Sequence, residues 1–215
     1  MRVKICGITN LGDALAAADL GADAVGFILY PGGPRSVEPR VVKNIIRQLP
    51  PFVTTVGVFA NQEENEIRRR VEDCGIETIQ LQGDEPPDLC IRLGYRVIKA
   101  IRIQDRSSLN RMVPYHVRAF VLDSYREGQF GGTGRTFDWE LAIEAKKFGK
   151  IILAGGLTPL NVGQAIHLVR PYGVDVSSGV EEKVGKKDHA KLKQFIETAK
   201  TALDQVISAS GGHNS

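Results

Sequence analysis

The strongest constraint on the fold is the regular alternation of short apolar runs with longer segments of helical periodicity. The apolar runs are short and rich in Val, Ile and Phe, which is typical of buried strands. Eight runs occur, about 24 residues apart, and each interval has room for one helix and two short loops. They begin near Val3, Ala24, Val53, Thr78, Val97, Phe120, Ile151 and Val174.

Segments with the periodicity of helices fill the intervals between these runs. Helices are predicted over residues 11–20, 38–48, 62–74, 87–93, 107–113, 139–148, 160–169 and 188–207. The side chains expected to cap helix starts are Thr9 or Asn10, Thr158 and Asp188. The glycines expected to end helices are Gly21, Gly75, Gly94 and Gly149.

Eight strand–helix units in 215 residues predict an α/β fold, a single closed (β/α)8 TIM barrel of parallel strands with outer helices. A doubly wound open sheet is the alternative. The segment after the first strand argues against it, because Cys6-Gly7-Ile8-Thr9 has one glycine where the dinucleotide-binding fingerprint needs three. One barrel domain is expected over residues 1–207, with a flexible tail over 208–215.

Composition excludes several other classes of protein. No apolar run approaches the roughly 18 residues of a membrane span, and Lys4 and Asp13 interrupt any N-terminal signal core. The three cysteines are too widely spaced for a disulfide framework or a zinc site with paired ligands. Cys74 and Cys90 fall in predicted helices and are interpreted as packing residues. We therefore expect a cytoplasmic protein with no membrane contact, no metal and no cofactor.

The charge balance indicates the kind of partner. The chain has 28 basic and 25 acidic residues, for a net charge of +3, and both signs are spread along its length. Without a long basic block this is weak support for nucleic-acid binding. The expected partner is a small anionic molecule, with no nucleic acid, and the chain is expected to be a monomer or a homodimer.

Cys6, at the end of the first strand, is a candidate catalytic residue. Strand alternation places Lys4 and Cys6 on one face, and this face points into the barrel if Val3 and Ile5 meet the helices. A cationic amine below the thiol favours the thiolate, which can act as a base or a nucleophile. A small buried packing residue is the alternative interpretation.

Carboxylates end or interrupt two later strands. Asp123 follows Phe120-Val121-Leu122, and because a carboxylate is costly to bury alone, it is either an acid–base group or a clamp on a neighbour. Asp175 lies within the eighth strand. It is a candidate substrate ligand, and pairing with Lys4 or Lys99 inside the barrel is the alternative.

Glycine-rich turns follow the seventh and eighth strands, at Ala154-Gly155-Gly156 and Ser177-Ser178-Gly179. In (β/α)8 barrels these two loops commonly bind phosphate through backbone N–H groups. Glycines used only for turning are the alternative. The predicted phosphate ligands are Gly155, Gly156, Ser178 and Gly179.

Two loops complete the candidate site. Arg35 follows the second strand in Gly33-Pro34-Arg35-Ser36, where a proline-fixed loop could aim its guanidinium at a carboxylate, although an ordinary surface arginine is the alternative. The loop over residues 125–137 is rich in glycine and charge. It is interpreted as a lid over substrate, with plain disorder as the alternative.

Several of these segments are distinctive together. The opening Lys4-Ile5-Cys6-Gly7-Ile8-Thr9 and the later Asp175-Val176-Ser177-Ser178-Gly179-Val180-Glu181 are the most specific. The others are Ala24-Val25-Gly26-Phe27, Pro34-Arg35-Ser36, Gln80-Leu81-Gln82-Gly83, Leu122-Asp123, Gly131-Gly132-Thr133-Gly134, Phe137-Asp138-Trp139 and Ala154-Gly155-Gly156-Leu157. From about residue 3 to residue 200 the chain resembles the phosphoribosylanthranilate isomerases of tryptophan biosynthesis.

The resemblance implies roles for particular residues. Cys6 would be the general base, Asp123 the general acid and Arg35 a ligand of the anthranilate carboxylate. The implied phosphate ligands are Gly156, Ser178 and Gly179. The chain has Gln82 where the family usually has a histidine, so a role for a histidine is not expected here, although an amide can still donate and accept hydrogen bonds.

The implied reaction is an Amadori rearrangement, which needs one acid and one base and no metal or redox cofactor. Other phosphosugar barrels are the rival interpretation. A histidine-pathway isomerase usually has an aspartate at the position of Cys6, and a pentose-phosphate epimerase needs metal ligands. A barrel that binds a phosphometabolite without catalysis is a third possibility, which the presence of both Cys6 and Asp123 disfavours.

Overall fold

The structure is a computed structural model that describes residues 1–124 and 137–210. Eight parallel strands close into a barrel in chain order. They are β1 (Arg2–Cys6), β2 (Ala24–Ile28), β3 (Thr54–Phe59), β4 (Thr78–Leu81), β5 (Arg96–Ile103), β6 (Ala119–Ser124), β7 (Ile151–Leu153) and β8 (Gly173–Val176). Each begins within one residue of its predicted position, so the closed parallel barrel is confirmed.

Helices follow the strands as predicted. They are α1 (Leu11–Asp19), α2 (Pro39–Ile46), α3 (Glu64–Cys74), α4 (Pro87–Arg92), α5 (Trp139–Ala145), α6 (Val162–Val169) and α7 (His189–Ser210). Between β5 and β6 the chain forms a 3-10 helix, Arg106–Met112, instead of an α-helix. Asp105 and Ser108 cap it reciprocally, and such polar side chains compete with regular helical hydrogen bonds.

The helix caps agree with the sequence except at one position. Asn10 caps α1 by accepting a hydrogen bond from the Asp13 N–H, and Asp188 caps α7 in the same manner. Thr158 was predicted to cap α6, and this is wrong, because α6 begins at Val162. The Asn161 side chain accepts from the Thr158 N–H at 2.8 Å, which closes a separate turn before the helix starts.

The glycines predicted to end helices all have positive φ, which an L side chain adopts with strain. They are Gly21, Gly75, Gly94 and Gly149.

Two apolar layers enclose the strands. Outward-facing residues such as Val3, Ile5 and Val25 pack against the helices in one large core. A smaller cluster fills the inside of the barrel, with Val56, Ile98 and Val121 among its members. Because side chains alternate along each strand, Lys4 and Cys6 belong to the inner face, as predicted.

The sequence did not predict a short hairpin after β8. It consists of β9 (Glu181–Lys183) and β10 (Lys186–Lys187), which are antiparallel. Helix α7 continues to Ser210, three residues beyond the predicted domain end at 207. Residues 125–136 of the predicted lid and 211–215 of the predicted tail lie outside the described residues, so both remain predictions. No helix in the described part of the chain is long and apolar enough to cross a membrane.

Candidate active site

A cavity of about 930 Å³ opens at the C-terminal end of the barrel. In (β/α)8 barrels this is the end where the loops after the strands build active sites. All the site residues predicted from the sequence lie on its wall, namely Cys6, Arg35, Asp123, Gly155, Gly156, Asp175, Ser178 and Gly179. The fold therefore brings into one cavity residues that are spread over 174 positions of the chain.

Cys6 is a buried thiol beside two charged groups. The Lys4 ammonium lies below it on the same strand and donates to Asp175 Oδ2 at 2.8 Å. Gly26 on β2 leaves room for both side chains, since a Cβ there would lie 2.9 Å from Cys6 Sγ.

The expectation that Lys4 favours the Cys6 thiolate needs a correction. Burial is the largest influence and raises the pKa of Cys6, and Asp175 raises it further. Lys4 lowers the pKa, as the sequence suggested, but not enough to offset burial. The thiol form of Cys6 therefore predominates at neutral pH in the unliganded site.

Asp123 is a buried carboxyl whose neighbours hold it in place. Its Oδ1 accepts from the Ser124 N–H at 2.8 Å, and its Oδ2 accepts from the Gln82 amide at 3.3 Å. Burial, followed by the charge of Asp175, raises the pKa of Asp123 from 3.8 to about 6. A carboxyl that keeps its proton close to neutral pH can serve as a general acid.

Gln80 on β4 and Gln82 directly after it continue the hydrogen bonds that begin at Asp123. Gln80 Nε2 donates to Gln82 Oε1 at 2.7 Å, and both side chains are buried. Gln82, which stands where the resemblance places a histidine, is thus a direct neighbour of Asp123. The contribution of Gln80 was missed, because nothing in the sequence shows that its amide faces Gln82.

Asp175 lies between the two candidate catalytic groups. It pairs with Lys4. Pairing with Lys99 inside the barrel is wrong, because Lys99 lies on the outer face of β5, where its Nζ donates to Glu85 Oε2 at 3.0 Å. The second oxygen, Asp175 Oδ1, is buried without a hydrogen-bond partner among the described residues. A buried acceptor left unpaired on a cavity wall is suited to a ligand hydroxyl or amine.

At both glycine turns, other main-chain atoms lie so close to the glycine that a side chain would not fit. Gly155 has a φ of +75°, and a Cβ there would lie 2.5 Å from the Ser124 nitrogen. A Cβ at Gly179 would lie 1.9 Å from the Leu157 carbonyl oxygen. Ser177 Oγ is buried without a hydrogen-bond partner in the described part of the chain. The two turns therefore present backbone and one unused hydroxyl to the cavity.

Arg35 is held by a carboxylate that sequence reasoning did not assign. Its Nε and Nη2 each donate to Glu181 at 2.7 Å, and both side chains are buried. Lys187 also donates to Glu181, at 3.2 Å, and to the Ser177 carbonyl oxygen, at 3.1 Å. Glu181 belongs to a motif recognised in the sequence, but nothing in the sequence distinguishes Lys187 from the neighbouring Lys183 and Lys186.

Arg35 is therefore an oriented side chain of the cavity wall and not an ordinary surface arginine. The pair with Glu181 uses two of its three nitrogens and leaves Nη1 for another acceptor. In the described residues, no three His, Cys, Asp or Glu side chains come together as a metal site would require.

The geometry defines a class of protein. A closed (β/α)8 barrel whose C-terminal cavity holds a thiol, a carboxyl of raised pKa and two glycine turns is an enzyme scaffold equipped for acid–base chemistry.

Comparison with known proteins identifies the family. Residues 3–198 match the family model of N-(5'-phosphoribosyl)anthranilate isomerase. The enzyme of that name from Pelobacter propionicus is 52% identical over 200 residues, which are 93% of this chain and 96% of the relative. The chain belongs to the phosphoribosylanthranilate isomerase family.

Solved structures agree with this assignment. A phosphoribosylanthranilate isomerase in complex with reduced 1-(o-carboxyphenylamino)-1-deoxyribulose 5-phosphate is 42% identical, with a TM-score of 0.85 over 94% of this chain and 99% of that one. Monomers generated from the dimeric isomerase of Thermotoga maritima are 41% identical, with a TM-score of 0.84 and the same coverage. The protein is an isomerase of tryptophan biosynthesis that acts on N-(5'-phosphoribosyl)anthranilate.

Proposed function

We propose that Asp123 is the general acid and Cys6 the general base of this isomerisation. The observation that carries the proposal is the shared cavity, in which a buried carboxyl with a pKa of about 6 and a buried thiol lie on strands β6 and β1. These strands are separated by β7 and β8, so a sugar in the cavity can meet a different group on each side.

The rearrangement proceeds in two proton transfers. Asp123 donates its proton to the furanose ring oxygen, the ring bond between that oxygen and C1 breaks, and C1 forms a protonated Schiff base with the anthranilate nitrogen. The Cys6 thiolate then takes the proton from C2, and the electron pair of that bond neutralises the Schiff base to give an enolamine. The enolamine tautomerises to the ketone, and the isomerisation needs no net proton.

Three further parts of the cavity bind the substrate. Arg35, oriented by Glu181, binds the anthranilate carboxylate through its remaining nitrogen. Asp175 Oδ1 accepts from a sugar hydroxyl, which satisfies its unpaired lone pairs. The turns that contain Gly155, Gly156, Ser178 and Gly179 hold the phosphate.

The two raised pKa values predict the shape of the pH profile. The productive state combines protonated Asp123 with ionised Cys6, although Asp123 has the lower pKa of the two. The population of that state is constant between the two pKa values and falls outside them. We therefore assign the acidic limb of kcat/KM to Asp123 and the alkaline limb to Cys6.

Two variants test the catalytic roles. Freshly formed phosphoribosylanthranilate loses its fluorescence on conversion, which gives a continuous assay. Cys6→Ser and Asp123→Asn are each expected to lower kcat by roughly 10²- to 10⁴-fold while the reduced product analogue still binds. Cys74→Ser in the core and Asp88→Asn on the surface are the matched controls and should keep kcat within about twofold. Near-normal kcat in either test variant rejects the role of that residue.

We propose that the protein is a cytoplasmic homodimer. In support of the cytoplasm, all three cysteines are free thiols, as is usual in reducing compartments. In support of the dimer, the T. maritima relative is dimeric. Phe52 is 96% exposed at the edge of a second cavity, of about 660 Å³, at the N-terminal end of the barrel. Contact with a second copy would cover this side chain. Sedimentation velocity should show a dimer that Phe52→Ser weakens, and a monomer at all concentrations contradicts the proposal.

A further inference from the structure

We infer that Gln80 is a positioning residue for Asp123 and acts through the side chain of Gln82. The two amides form a relay that keeps a hydrogen-bond donor against Asp123. The inference rests on the acid role proposed for Asp123.

The relay has a direction. Gln80 Nε2 donates to Gln82 Oε1 at 2.7 Å, and Gln82 Nε2 donates to Asp123 Oδ2 at 3.3 Å. An amide that accepts through its oxygen on one side presents its NH₂ group on the other. Gln80 therefore selects the orientation in which Gln82 donates to Asp123. In the opposite orientation Gln82 Oε1 would face Asp123 Oδ2, and the Gln82 NH₂ group would face that of Gln80.

The backbone on both sides of Gln82 is also fixed. Lys99 Nζ donates to the Leu81 carbonyl oxygen at 3.2 Å and to the Gly83 carbonyl oxygen at 2.7 Å. The Gln82 N–H donates to the Phe59 carbonyl oxygen at 2.8 Å. The main chain is held in this way and the side chain is buried, so the main choice left to Gln82 is which way its amide faces, and Gln80 is the side chain that contacts its oxygen.

The relay has two consequences for Asp123. With Ser124 N–H on Oδ1 and Gln82 on Oδ2, both carboxyl oxygens are tied, so the carboxyl plane is fixed relative to the cavity. A hydrogen-bond donor also favours the charged carboxylate, so Gln82 lowers the pKa of Asp123. This effect opposes burial and the charge of Asp175, which both raise that pKa. Because an amide does not titrate, this opposition is present at every pH.

The other end of the relay also reaches the cavity. Gln80 lines the cavity wall, and its Oε1 is buried without a hydrogen-bond partner among the described residues. The Gln80 amide is therefore held by its NH₂ group alone until substrate occupies the site.

The test measures how the acidic limb of kcat/KM moves. Gln82→Met removes the donor with little change in shape and should shift that limb to higher pH by about one unit. Gln80→Met should shift it in the same direction by about half as much, because the Gln82 amide then samples both orientations. Gln48→Met, at an exposed position, is the matched control and should leave the limb unmoved.

The double variant separates a relay from two independent effects. If Gln80 acts only through Gln82, then adding Gln80→Met to Gln82→Met causes no further shift of the limb. An additional shift of about half a unit contradicts the relay. The phosphate of the substrate also titrates near pH 6, so only the difference between each variant and the parent enzyme is interpreted.

Gln80→Glu gives a second route if a methionine variant fails to fold. A carboxylate can only accept, so it would draw the Gln82 NH₂ group away from Asp123 and turn the Gln82 oxygen towards it. The limb should move to higher pH in this variant, and less so when Gln82→Met is also present. An equal shift with and without Gln82→Met overturns the relay.

The test distinguishes failure of the relay from failure of the acid assignment. If Asp123→Asn is inactive and the glutamine variants keep the pH profile of the parent enzyme, the relay is wrong and the acid role stands. If Asp123→Asn retains near-normal kcat, the acid role itself is wrong, and the relay falls with it.

Discussion

Two buried lysines with carboxylate partners lie on opposite faces of the barrel wall, Lys4 on the inner face of β1 and Lys99 on the outer face of β5, and their surroundings differ. Lys99 Nζ lies 3.0 Å from Glu85 Oε2, and Lys4 Nζ lies 2.8 Å from Asp175 Oδ2. All four side chains are buried. Burial lowers the pKa of Lys99 in spite of Glu85, whereas the pKa of Lys4 is raised because Asp175 and Cys6 outweigh burial.

The Lys99 pair is fully satisfied. Besides Glu85, Lys99 donates to two backbone carbonyls, and Glu85 Oε1 accepts from the Asn61 and Gly83 N–H groups. Every charged atom of the pair has a partner within the fold, and the pair holds the loop after β4 in place. Such a pair contributes to structure and has no lone pair to offer a ligand.

The Lys4 pair is incomplete. Asp175 Oδ1 has no hydrogen bond among the described residues, and Asp175 and Cys6 both face the cavity. The pair also acts on both candidate catalytic groups, since Lys4 lowers the pKa of Cys6 and Asp175 raises that of Asp123. Of the two buried ion pairs, the one with an unsatisfied atom is therefore the one that faces the cavity of the candidate active site.

Removal of Lys99 should have the largest effect, and it should be on stability. Lys99→Met leaves Glu85 buried without its cation, and we expect a loss of about 3–5 kcal/mol in the free energy of unfolding. Urea denaturation measures this loss. Replacing both partners, as Lys99→Met with Glu85→Met, removes the unpaired charge but also the hydrogen bonds to four backbone groups, so it should recover only part of the loss. A loss below about 1 kcal/mol in the single variant would show that the pair is not a structural clamp.

Removal of Lys4 should affect activity more than folding. Asp175 lies against the open cavity, where water or a proton can compensate it, so Lys4→Met should cost less stability than Lys99→Met. Loss of the ammonium raises the pKa of Cys6 and moves the alkaline limb of kcat/KM to higher pH. We expect kcat/KM at neutral pH to fall roughly 10- to 100-fold. An alkaline limb that stays in place contradicts the electrostatic role of Lys4.

Neutralising Asp175 should give the smallest of the three effects, a shift of the pH profile. Asp175→Asn removes a negative charge that raises the pKa of Asp123, so the acidic limb of kcat/KM should move to lower pH, by up to about one unit. Glu85→Gln is the matched variant in the other pair and should leave that limb in place. If both variants move the limb equally, the two pairs do not differ in the way proposed.

The sequence was sufficient for the barrel because its signal is local and repeated. Apolar runs and helix-ending glycines each depend on a few neighbouring residues, and the apolar run occurs eight times. Position on a strand end was also sufficient to select Cys6 and Asp123 as candidates, since the fold brings all strand ends together.

Most partners of the site residues could not be predicted, because they are distant in the chain. Arg35 and Glu181 are 146 positions apart, and no local pattern joins them. Lys4 and Asp175 are 171 apart, and their pairing was predicted only as one of two alternatives, from the expected barrel. The pKa of Cys6 was misjudged for a related reason. The sequence shows the neighbouring lysine, but the desolvation that outweighs it depends on the closed barrel.

The central claim is that the cavity raises the pKa of Asp123 to about 6. Carbon-13 NMR of protein labelled at the aspartate side-chain carboxyl carbons measures this directly, with the Asp123 signal assigned by its loss in Asp123→Asn. The account predicts a titration midpoint at about pH 6. A midpoint near 4, the value of an ordinary aspartate, would mean that Asp123 is ionised throughout the neutral range and would contradict its role as the acid.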